Sequence, residues 1–323
     1  MPVKIIRENW PGKVNTTTLG VSSKAIKIGG EGALPFLYFE GEMPYRPVVA
    51  CEVWDEKPND WPDLLTAPFT GVLGDPVAWA KKCLVYGADL ICLRLAGAHP
   101  ETKNKSPQEC ALIAQRVYAA INTPLIVVGC GEDEKDAAVL PAVAEALAGK
   151  NCLLGWATAE NYRTITSACN TYGHSLIASS PLDISLAKQL NILITEMGFN
   201  PGSVIIDPLV GALGYGLEYA YSIMERIRLS ALTGDKMLAM PVICFVGQET
   251  WKTKEATSTL PEHPTWGEQA RRAILWELLT AVTLAQAGGT IMVMRHPETV
   301  RHFLAYLLAD KRTVPLSSYN NLT

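Results

Sequence analysis

Short runs of aliphatic and β-branched residues alternate with longer amphipathic stretches from residue 48 onward. The short runs are apolar at consecutive positions, which is typical of parallel strands covered on both faces. The pattern predicts eight strands, at residues 48–54, 89–95, 125–129, 152–156, 175–179, 203–207, 242–246 and 290–294. It also predicts a helix after each strand, at residues 76–86, 107–121, 133–148, 162–172, 184–197, 217–233, 266–287 and 297–308.

Several predicted helices have well-marked ends. Asp75 precedes Pro76, and Ser106 precedes Pro107 with Glu109 three residues after the serine, which indicates a capping box. Eight strand–helix units with right-handed crossovers favour closure into a (β/α)₈ TIM barrel. An open doubly wound sheet is the alternative fold.

The first 45 residues lie outside this repeat. Residues 24–28 and 35–40 flank Gly29-Gly30-Glu31-Gly32, which predicts a β-hairpin with a glycine-rich turn. A phosphate-binding loop is the weaker alternative, because no helix begins directly after these glycines. We therefore predict an N-terminal extension with a hairpin at residues 1–45, a barrel at 46–310 and a C-terminal tail at 311–323.

Composition excludes several classes of function. Hydrophobic residues make up 48% of the 323 residues and charged residues 19%, with a net charge of -4. These values favour a soluble globular chain and argue against a nucleic-acid surface. We find neither a signal peptide nor an apolar segment long enough to cross a bilayer, so we expect a cytoplasmic protein with no membrane partner.

Cysteine and histidine spacing predicts no metal site. The eight cysteines form no C-x-x-C pair, and five of them fall inside apolar runs, so we expect them to be buried and inert. The chain is therefore predicted to hold no iron–sulfur cluster of its own. His296 alone among the histidines follows a strand, and we favour a turn residue before Pro297 over a metal ligand.

The carboxyl ends of the predicted strands form the face on which barrels bind ligands. The residues that follow the strands there are mainly glycines, hydroxyls and amides. No lysine ends a strand where a Schiff base would form, and Ser179-Ser180 lacks the glycines of a nucleophile elbow. We predict no catalytic residue. Asp207 fits equally well a buried carboxylate that braces its loop and a partner for a polar ligand.

Three segments resemble a known superfamily. The stretch from Ser203 through Asp207-Pro208 to Gly211 resembles the Asp-Pro strand end of pterin-dependent methyltransferase barrels, and residues 152–161 and 174–181 match the fourth and fifth strands of that family. Within this superfamily the chain is most similar to the small-subunit family of corrinoid iron–sulfur proteins, the acetyl-CoA decarbonylase/synthase delta-type subunits. Residues 24–54, 157–162 and 247–251 also fit this family, and the resemblance covers residues 24–308.

The resemblance implies a binding module rather than an enzyme. Such a small subunit is half of a heterodimer whose large subunit brings the iron–sulfur cluster and most of the corrinoid (cobamide) site. The barrel covers the corrinoid from the other side. The implied partners are the large subunit, a methyltetrahydrofolate:corrinoid methyltransferase and acetyl-CoA synthase, which together pass methyl groups along the reductive acetyl-CoA (Wood–Ljungdahl) pathway.

Departures from the pterin enzymes support this interpretation. Where those enzymes place Asp and Asn side chains, this chain has Cys92 and Arg94, then residues 129–132, then Gly155 and Thr158; only Asp207 keeps its type. A site built to hydrogen-bond a polar ring rejects that ring when its partners are missing. A pterin-dependent methyltransferase acting alone is the main alternative, and an aldolase- or lyase-type barrel is a further one.

The neutral amide arms of a corrin call for hydroxyl and amide partners. We predict six cofactor-binding residues, which are the hydroxyl and amide residues at the strand ends and the carboxylate of the Asp-Pro motif: Thr158, Asn161, Ser180, Asp207, Gln248 and Thr250. For Asn161 and Ser180, capping of the following helix is an equally good alternative. We also expect Trp54, Trp251 and Trp266 to lie on exposed loops, and the segment 251–264 to touch a partner or the corrinoid.

Overall fold

The computed structural model describes residues 6–259 and 261–309. Ten strands are present in these residues: β1 Thr16–Leu19, β2 Ile26–Gly29, β3 Val48–Trp54, β4 Leu90–Arg94, β5 Leu125–Val128, β6 Leu153–Ala157, β7 Ser175–Ser179, β8 Val204–Asp207, β9 Ile243–Cys244 and β10 Ile291–Met294. The last eight are parallel and adjacent in the order β8-β7-β6-β5-β4-β3-β10-β9. A parallel bridge between Ile206 and Val242 joins the two end strands, so the sheet closes into the predicted barrel.

Helices surround this barrel. The α-helices among the described residues are α1 Asp63–Thr66, α2 Pro76–Val85, α3 Pro107–Ala120, α4 Asp133–Ala146, α5 Tyr162–Tyr172, α6 Ile184–Glu196, α7 Leu217–Leu232, α8 Val246–Thr250, α9 Lys254–Thr257, α10 Gln269–Gln286 and α11 Pro297–Ala309. Short 3₁₀ turns lie at Ser22–Lys24, Pro35–Glu40, Ala67–Phe69, Ala96–Ala98, Pro201–Ser203 and Pro264–Trp266. The capping box is confirmed, since the Glu109 backbone N–H donates to Ser106 Oγ at 3.3 Å and the Glu109 carboxylate accepts from the Ser106 N–H at 2.8 Å.

The core has two shells, which follow from strand pleating. Residues of one parity, such as Ala50, Cys92 and Ile126, point into the barrel, and residues of the other parity pack under the helices. Both shells are apolar, which explains why the strands read as continuous hydrophobic runs.

The N-terminal hairpin exists, but its predicted position is wrong. Its strands are β1 and β2, paired antiparallel from Thr16 with Gly29 to Leu19 with Ile26. Residues 35–40 form a 3₁₀ turn instead of a strand, because Pro35 begins the turn and Leu37 N–H bonds back to the Leu34 carbonyl at 3.0 Å. Gly29 lies at φ 81, and a Cβ there would sit 2.2 Å from the Asn15 carbonyl oxygen, so close backbone approach explains this glycine.

The hairpin covers the amino-terminal end of the barrel. Thr17 Oγ1 donates to the Gly202 carbonyl at 2.9 Å, and Asn151 Nδ2 donates to the Thr18 carbonyl at 2.8 Å, both just before barrel strands. Leu19 and Ile28 are fully buried in the inner shell. The division at residues 45 and 310 stays a prediction, and residues 310–323 lie outside the described residues.

Shortening Ile28 tests this role of the hairpin. We expect Ile28→Val to lower the free energy of unfolding by about 0.5–1.5 kcal/mol, because it deletes a buried methyl group. Urea denaturation measures the change. The control is Ile6→Val, since Ile6 is 86% exposed; it should change stability by less than about 0.5 kcal/mol. Equal stability of both variants and the parent would contradict tight packing of the hairpin against the inner shell of the barrel.

No helix within the described part of the chain is long and apolar enough to cross a membrane.

Candidate functional site

A polar layer lies on top of the apolar inner shell, at the carboxyl ends of the strands. Each member lies two positions along the chain after an apolar residue that points into the barrel, and so points to the same side. The pairs are Glu52 after Ala50, Arg94 after Cys92, Ser179 after Ile177, Asp207 after Ile205 and Arg295 after Val293. We call these five residues the mouth layer. All five are polar or charged, unlike the apolar positions before them, and they lie at the carboxyl ends of the strands, the face on which barrels bind ligands.

Glu52 is the centre of an ion cluster in the mouth layer. Its carboxylate lies 2.7 Å from Arg94 Nε and 2.6 Å from Arg295 Nε, and a second Arg295 nitrogen, Nη2, donates at 3.2 Å. Trp54 Nε1 also donates to it, at 2.8 Å. Burial would raise the pKa of Glu52, but the two guanidinium groups and these hydrogen bonds lower it to about 2. Glu52 is therefore ionised throughout the physiological range.

Tryptophan rings hold both guanidinium groups in place. The guanidinium carbon of Arg94 lies 5.0 Å from the Trp156 ring centre and 5.9 Å from that of Trp54. Arg295 lies 4.6 Å from Trp61 and 5.6 Å from Trp54. Such cation–π contacts are strengthened where water is excluded. The cluster is thus a rigid part of the mouth.

Asp207 lies on the other side of the mouth layer and is 1% exposed. Its carboxylate accepts from Ser179 Oγ and from Leu209 N–H, each at 3.1 Å. Burial raises the pKa of Asp207 to about 7, although these hydrogen bonds oppose the rise. Of the two roles considered for Asp207, the structure therefore shows the buried carboxylate that braces its loop. With a pKa of about 7, this carboxyl group gains and loses its proton near neutral pH.

Ser180 adjoins Asp207, since its N–H donates to the Asp207 carbonyl at 3.0 Å. Ser180 is 4% exposed, and its buried Oγ has no hydrogen-bond partner among the described residues. The alternative that Ser180 caps the next helix is wrong, because Asp183 caps α6 by accepting from Ser185 N–H at 2.7 Å. An unpaired buried hydroxyl at a ligand-binding face is available to a ligand.

Thr158 and Asn161 form a second polar group, around Asp133. Asp133 Oδ1 accepts from Thr158 Oγ1 at 2.8 Å and from Asn161 Nδ2 at 3.1 Å. Asn161 Oδ1 accepts from Thr158 N–H at 2.9 Å, so its side chain braces the preceding turn and does not cap α5. Asn161 is buried, while Thr158 is half-buried and reaches the surface.

Gln248 and Thr250 lie in α8, which begins almost directly after β9 because the strand is shorter than predicted. Gln248 Oε1 accepts a hydrogen bond from Arg94 Nη2, and its Nε2 donates to Glu249 Oε1 at 2.9 Å. Thr250 is fully buried, and its Oγ1 has no partner within the described residues. Of these two predicted residues, Gln248 therefore joins the ion cluster and Thr250 does not.

The expected exposed tryptophans are largely folded inward. Trp251 is 5% exposed and stacks on His296, with ring centres 5.9 Å apart, so its predicted exposure is wrong. Trp54 is half-buried beside Glu52, and only Trp266 is more than a third exposed. The segment after Trp251 folds into α9 and is tied to α10, where Gln269 Nε2 donates to the Thr257 carbonyl at 2.9 Å.

His296 is a turn residue, as the sequence favours. Its Nδ1 accepts from Glu298 N–H at 3.2 Å, at the start of α11, and burial lowers its pKa to about 4. Seven cysteines are buried and Cys130 is half-buried. Among residues 6–259 and 261–309 no group of three or more His, Cys, Asp or Glu side chains could hold a metal ion.

Comparison with known proteins identifies close relatives. The family model described as CO dehydrogenase/acetyl-CoA synthase delta subunit matches residues 16–307. The acetyl-CoA decarbonylase/synthase complex subunit delta of Methanocaldococcus jannaschii is 34% identical over 302 residues, covering 91% of this chain and 73% of that protein. Subunit delta 2 of the complex from Methanosarcina acetivorans is 36% identical over 304 residues, covering 90% and 69%.

Solved structures with the same fold are more distant. The 7,8-dihydropteroate synthase of Vibrio fischeri ES114 has a TM-score of 0.60 at 12% identity, covering 93% of this chain and 99% of that one. The dihydropteroate synthase of Coxiella burnetii, in complex with pteroic acid, has a TM-score of 0.59 at 11% identity, covering 93% and 100%. At such low identity these similarities establish the barrel fold alone.

Proposed function

This chain belongs to the CO dehydrogenase/acetyl-CoA synthase delta subunit family, and we propose that it is the small subunit of a heterodimeric corrinoid iron–sulfur methyl carrier. In this proposal a large subunit holds most of the cobamide and the iron–sulfur cluster, and the mouth of this barrel covers the cobamide. The carrier serves the reductive acetyl-CoA (Wood–Ljungdahl) pathway, between a methyltetrahydrofolate:corrinoid methyltransferase and acetyl-CoA synthase. Membership of the family is the observation on which the proposal rests.

The polar groups around the mouth fit a corrin in chemical type. Corrin side arms are neutral amides, which pair best with neutral donors and acceptors. Thr158 and Gln248 are half-buried and carry a hydroxyl and an amide, and Ser180 carries a buried hydroxyl without a partner among the described residues. An unsatisfied buried hydroxyl gains free energy when a ligand supplies its missing hydrogen bond.

The predicted cofactor-binding residues are thus proposed in two roles. Thr158, Ser180 and Gln248 would contact the amide arms. Asn161 would position Thr158, whose N–H its side chain accepts, and Thr250 would hold α8 behind Gln248. Asp207 would brace the loop beside Ser180.

A cobamide bound here would supply a cobalt ion that carries a methyl group, and the chain would exclude water from that face and orient the macrocycle. No residue of this chain is assigned a catalytic role.

A pterin-dependent methyltransferase is the alternative that Asp207 favours, because this carboxylate keeps the type found in those enzymes. Two other pterin positions oppose it. Cys92 is fully buried, and Arg94 already bonds to Glu52 and Gln248. Neither offers a free acceptor to a pterin ring, so we expect methyltetrahydrofolate to bind the isolated chain only weakly. Calorimetry that gave a micromolar dissociation constant would favour the alternative.

Cofactor content tests the main proposal. The chain expressed alone should be colourless and free of iron, because the proposal assigns the cluster and most corrinoid contacts to the large subunit. When this chain and the large subunit are produced together with a supply of corrinoid, the heterodimer should show the visible absorbance of both the corrinoid and the iron–sulfur cluster. Stoichiometric iron–sulfur absorbance from the isolated chain would contradict the proposal.

A double variant tests the proposed contact residues. We expect Thr158→Ala with Gln248→Ala to weaken corrinoid retention by the heterodimer, by roughly tenfold or less for each lost hydrogen bond. Corrinoid remaining after dialysis is the measurement. The control is Thr233→Ala, an exposed threonine at the end of α7, on the opposite end of the barrel. Unchanged retention in the double variant would place the macrocycle elsewhere.

A further inference from the structure

The ion cluster of the mouth layer carries unbalanced charge. It contains two guanidinium groups, Arg94 and Arg295, but Glu52 is the one carboxylate paired with either of them in the described residues. The pKa of Glu52 lies at about 2, so it supplies a full negative charge and no more. Arg94, Arg295 and Glu52 together therefore carry one net positive charge. Buried charges are normally paired, since an unpaired one is costly to desolvate.

The remaining charge belongs to Arg94 rather than Arg295. Arg295 directs both Nε and Nη2 to Glu52, and its side chain is 7% exposed. Arg94 donates from Nη2 to the neutral amide of Gln248, and its side chain is 12% exposed. Its Nε lies 2.7 Å from the Glu52 carboxylate as an ion pair but forms no hydrogen bond. A guanidinium group has five N–H donors, and the Arg94 Nη1 group has no partner among the described residues.

Arg94 is also fixed in position before anything binds. Trp156 and Trp54 lie against its guanidinium group, Glu52 forms an ion pair with it, and Gln248 accepts from its Nη2. A binding group that is already ordered loses little conformational entropy when its ligand arrives. A planar guanidinium with free N–H groups matches the two oxygens of a carboxylate or phosphate.

We propose that Arg94 anchors a subsite for one monoanionic oxyanion at the mouth of the barrel, of the carboxylate or phosphodiester class. A single negative charge is what the cluster lacks, so a monoanion balances it. This site goes beyond corrinoid covering, because it is defined by charge and requires no macrocycle. A carboxylate would come from an acidic side chain, and a phosphodiester from a nucleotide-type ligand.

Titration of the full chain with acetate and, separately, with dimethyl phosphate tests this site and distinguishes the two sources. We expect saturable calorimetric binding of at least one probe to the parent, and binding of that probe weakened by roughly tenfold or more in Arg94→Gln. Arg94→Lys keeps the charge but loses the planar donor pair, so we expect an intermediate affinity. The control is Arg46→Gln, which removes an arginine paired with Asp89 before β3 and should leave the affinity unchanged.

Two outcomes would overturn the site. One is equal affinity of the parent and Arg94→Gln for both probes, and the other is equal weakening by Arg46→Gln. A measurement on the parent chain stands even where Arg94→Gln does not fold. In ¹⁵N-arginine-labelled protein, the Arg94 Nε–Hε signal, assigned from its loss in Arg94→Lys, should shift saturably with the probe. A shift spread evenly over all arginine signals would show a general salt effect. Failure of corrinoid binding would leave these results unaffected.

Discussion

Replacement of Glu52 by glutamine should lower the free energy of unfolding by about 3–5 kcal/mol, because it leaves two guanidinium groups buried without a counter-charge. Glu52 accepts hydrogen bonds from Arg295 and Trp54 within 3.2 Å, pairs with Arg94 at 2.7 Å and is 1% exposed. A glutamine has one acceptor oxygen and an NH₂ group that would face guanidinium donors. Urea denaturation at pH 7 measures the loss.

The control for Glu52→Gln is a change at an exposed ion pair. Lys188 lies 2.6 Å from Asp235 with 45% of its side chain exposed, and such pairs contribute about 1 kcal/mol or less. Lys188→Gln should therefore be nearly neutral. A Glu52→Gln variant as stable as Lys188→Gln would show that the cluster contributes nothing to folding.

The pH dependence gives Glu52 a second test. Its pKa is lowered from 4.5 to about 2 in the folded chain, so its contribution is fully present above pH 4.5. The contribution is lost as the pH falls toward 2, and its full size is about 3 kcal/mol. Stability of the parent should thus fall more steeply than that of Glu52→Gln between pH 4.5 and pH 2.

The barrel was predictable because each of its elements is encoded locally. The strand Ser175–Ser179 and the helix Tyr162–Tyr172 have the predicted bounds, since an apolar run and a helix-stopping Gly173 define them within a few residues. Long-range pairing then follows from the rules for parallel strand–helix units. The predicted position of the hairpin was wrong because its first strand has no such local signal. Its strand Thr16–Leu19 is short and half-exposed, so no hydrophobic run distinguishes it from a loop.

The ion cluster could not be predicted from local patterns. Glu52 is a single charge inside a run of six apolar residues, and its partner Arg295 is 243 residues away. One signal was available. Glu52, Arg94 and Arg295 share the inward parity of their strands, and a charge at an inward position requires a partner in the same layer. The depth of Thr250 and Trp251 depends on where β9 stops, and the apolar run overestimates its length.

Replacement of Asp207 by asparagine should remove a destabilising pH dependence. The pKa of this buried carboxyl is raised from 3.8 to about 7, so the folded chain holds a proton there that the unfolded chain has released. Stability of the parent should fall by up to about 1.4 kcal/mol per pH unit from this group between pH 4 and pH 7. Above pH 7 the accumulated cost is about 3–4 kcal/mol.

The difference in unfolding free energy between Asp207→Asn and the parent isolates this group, because other titrations cancel. It should rise by about 3–4 kcal/mol from pH 4 to pH 8, as only the parent must ionise a carboxyl inside the barrel. Asparagine keeps an oxygen that accepts from Ser179 Oγ or Leu209 N–H, so the loop remains braced. Asp60→Asn, at an exposed position, is the matched control. If the difference in unfolding free energy between Asp207→Asn and the parent did not change from pH 4 to pH 8, the carboxyl group of Asp207 would have to be solvated. Water would then reach further into the mouth of the barrel than the burial of Asp207 indicates.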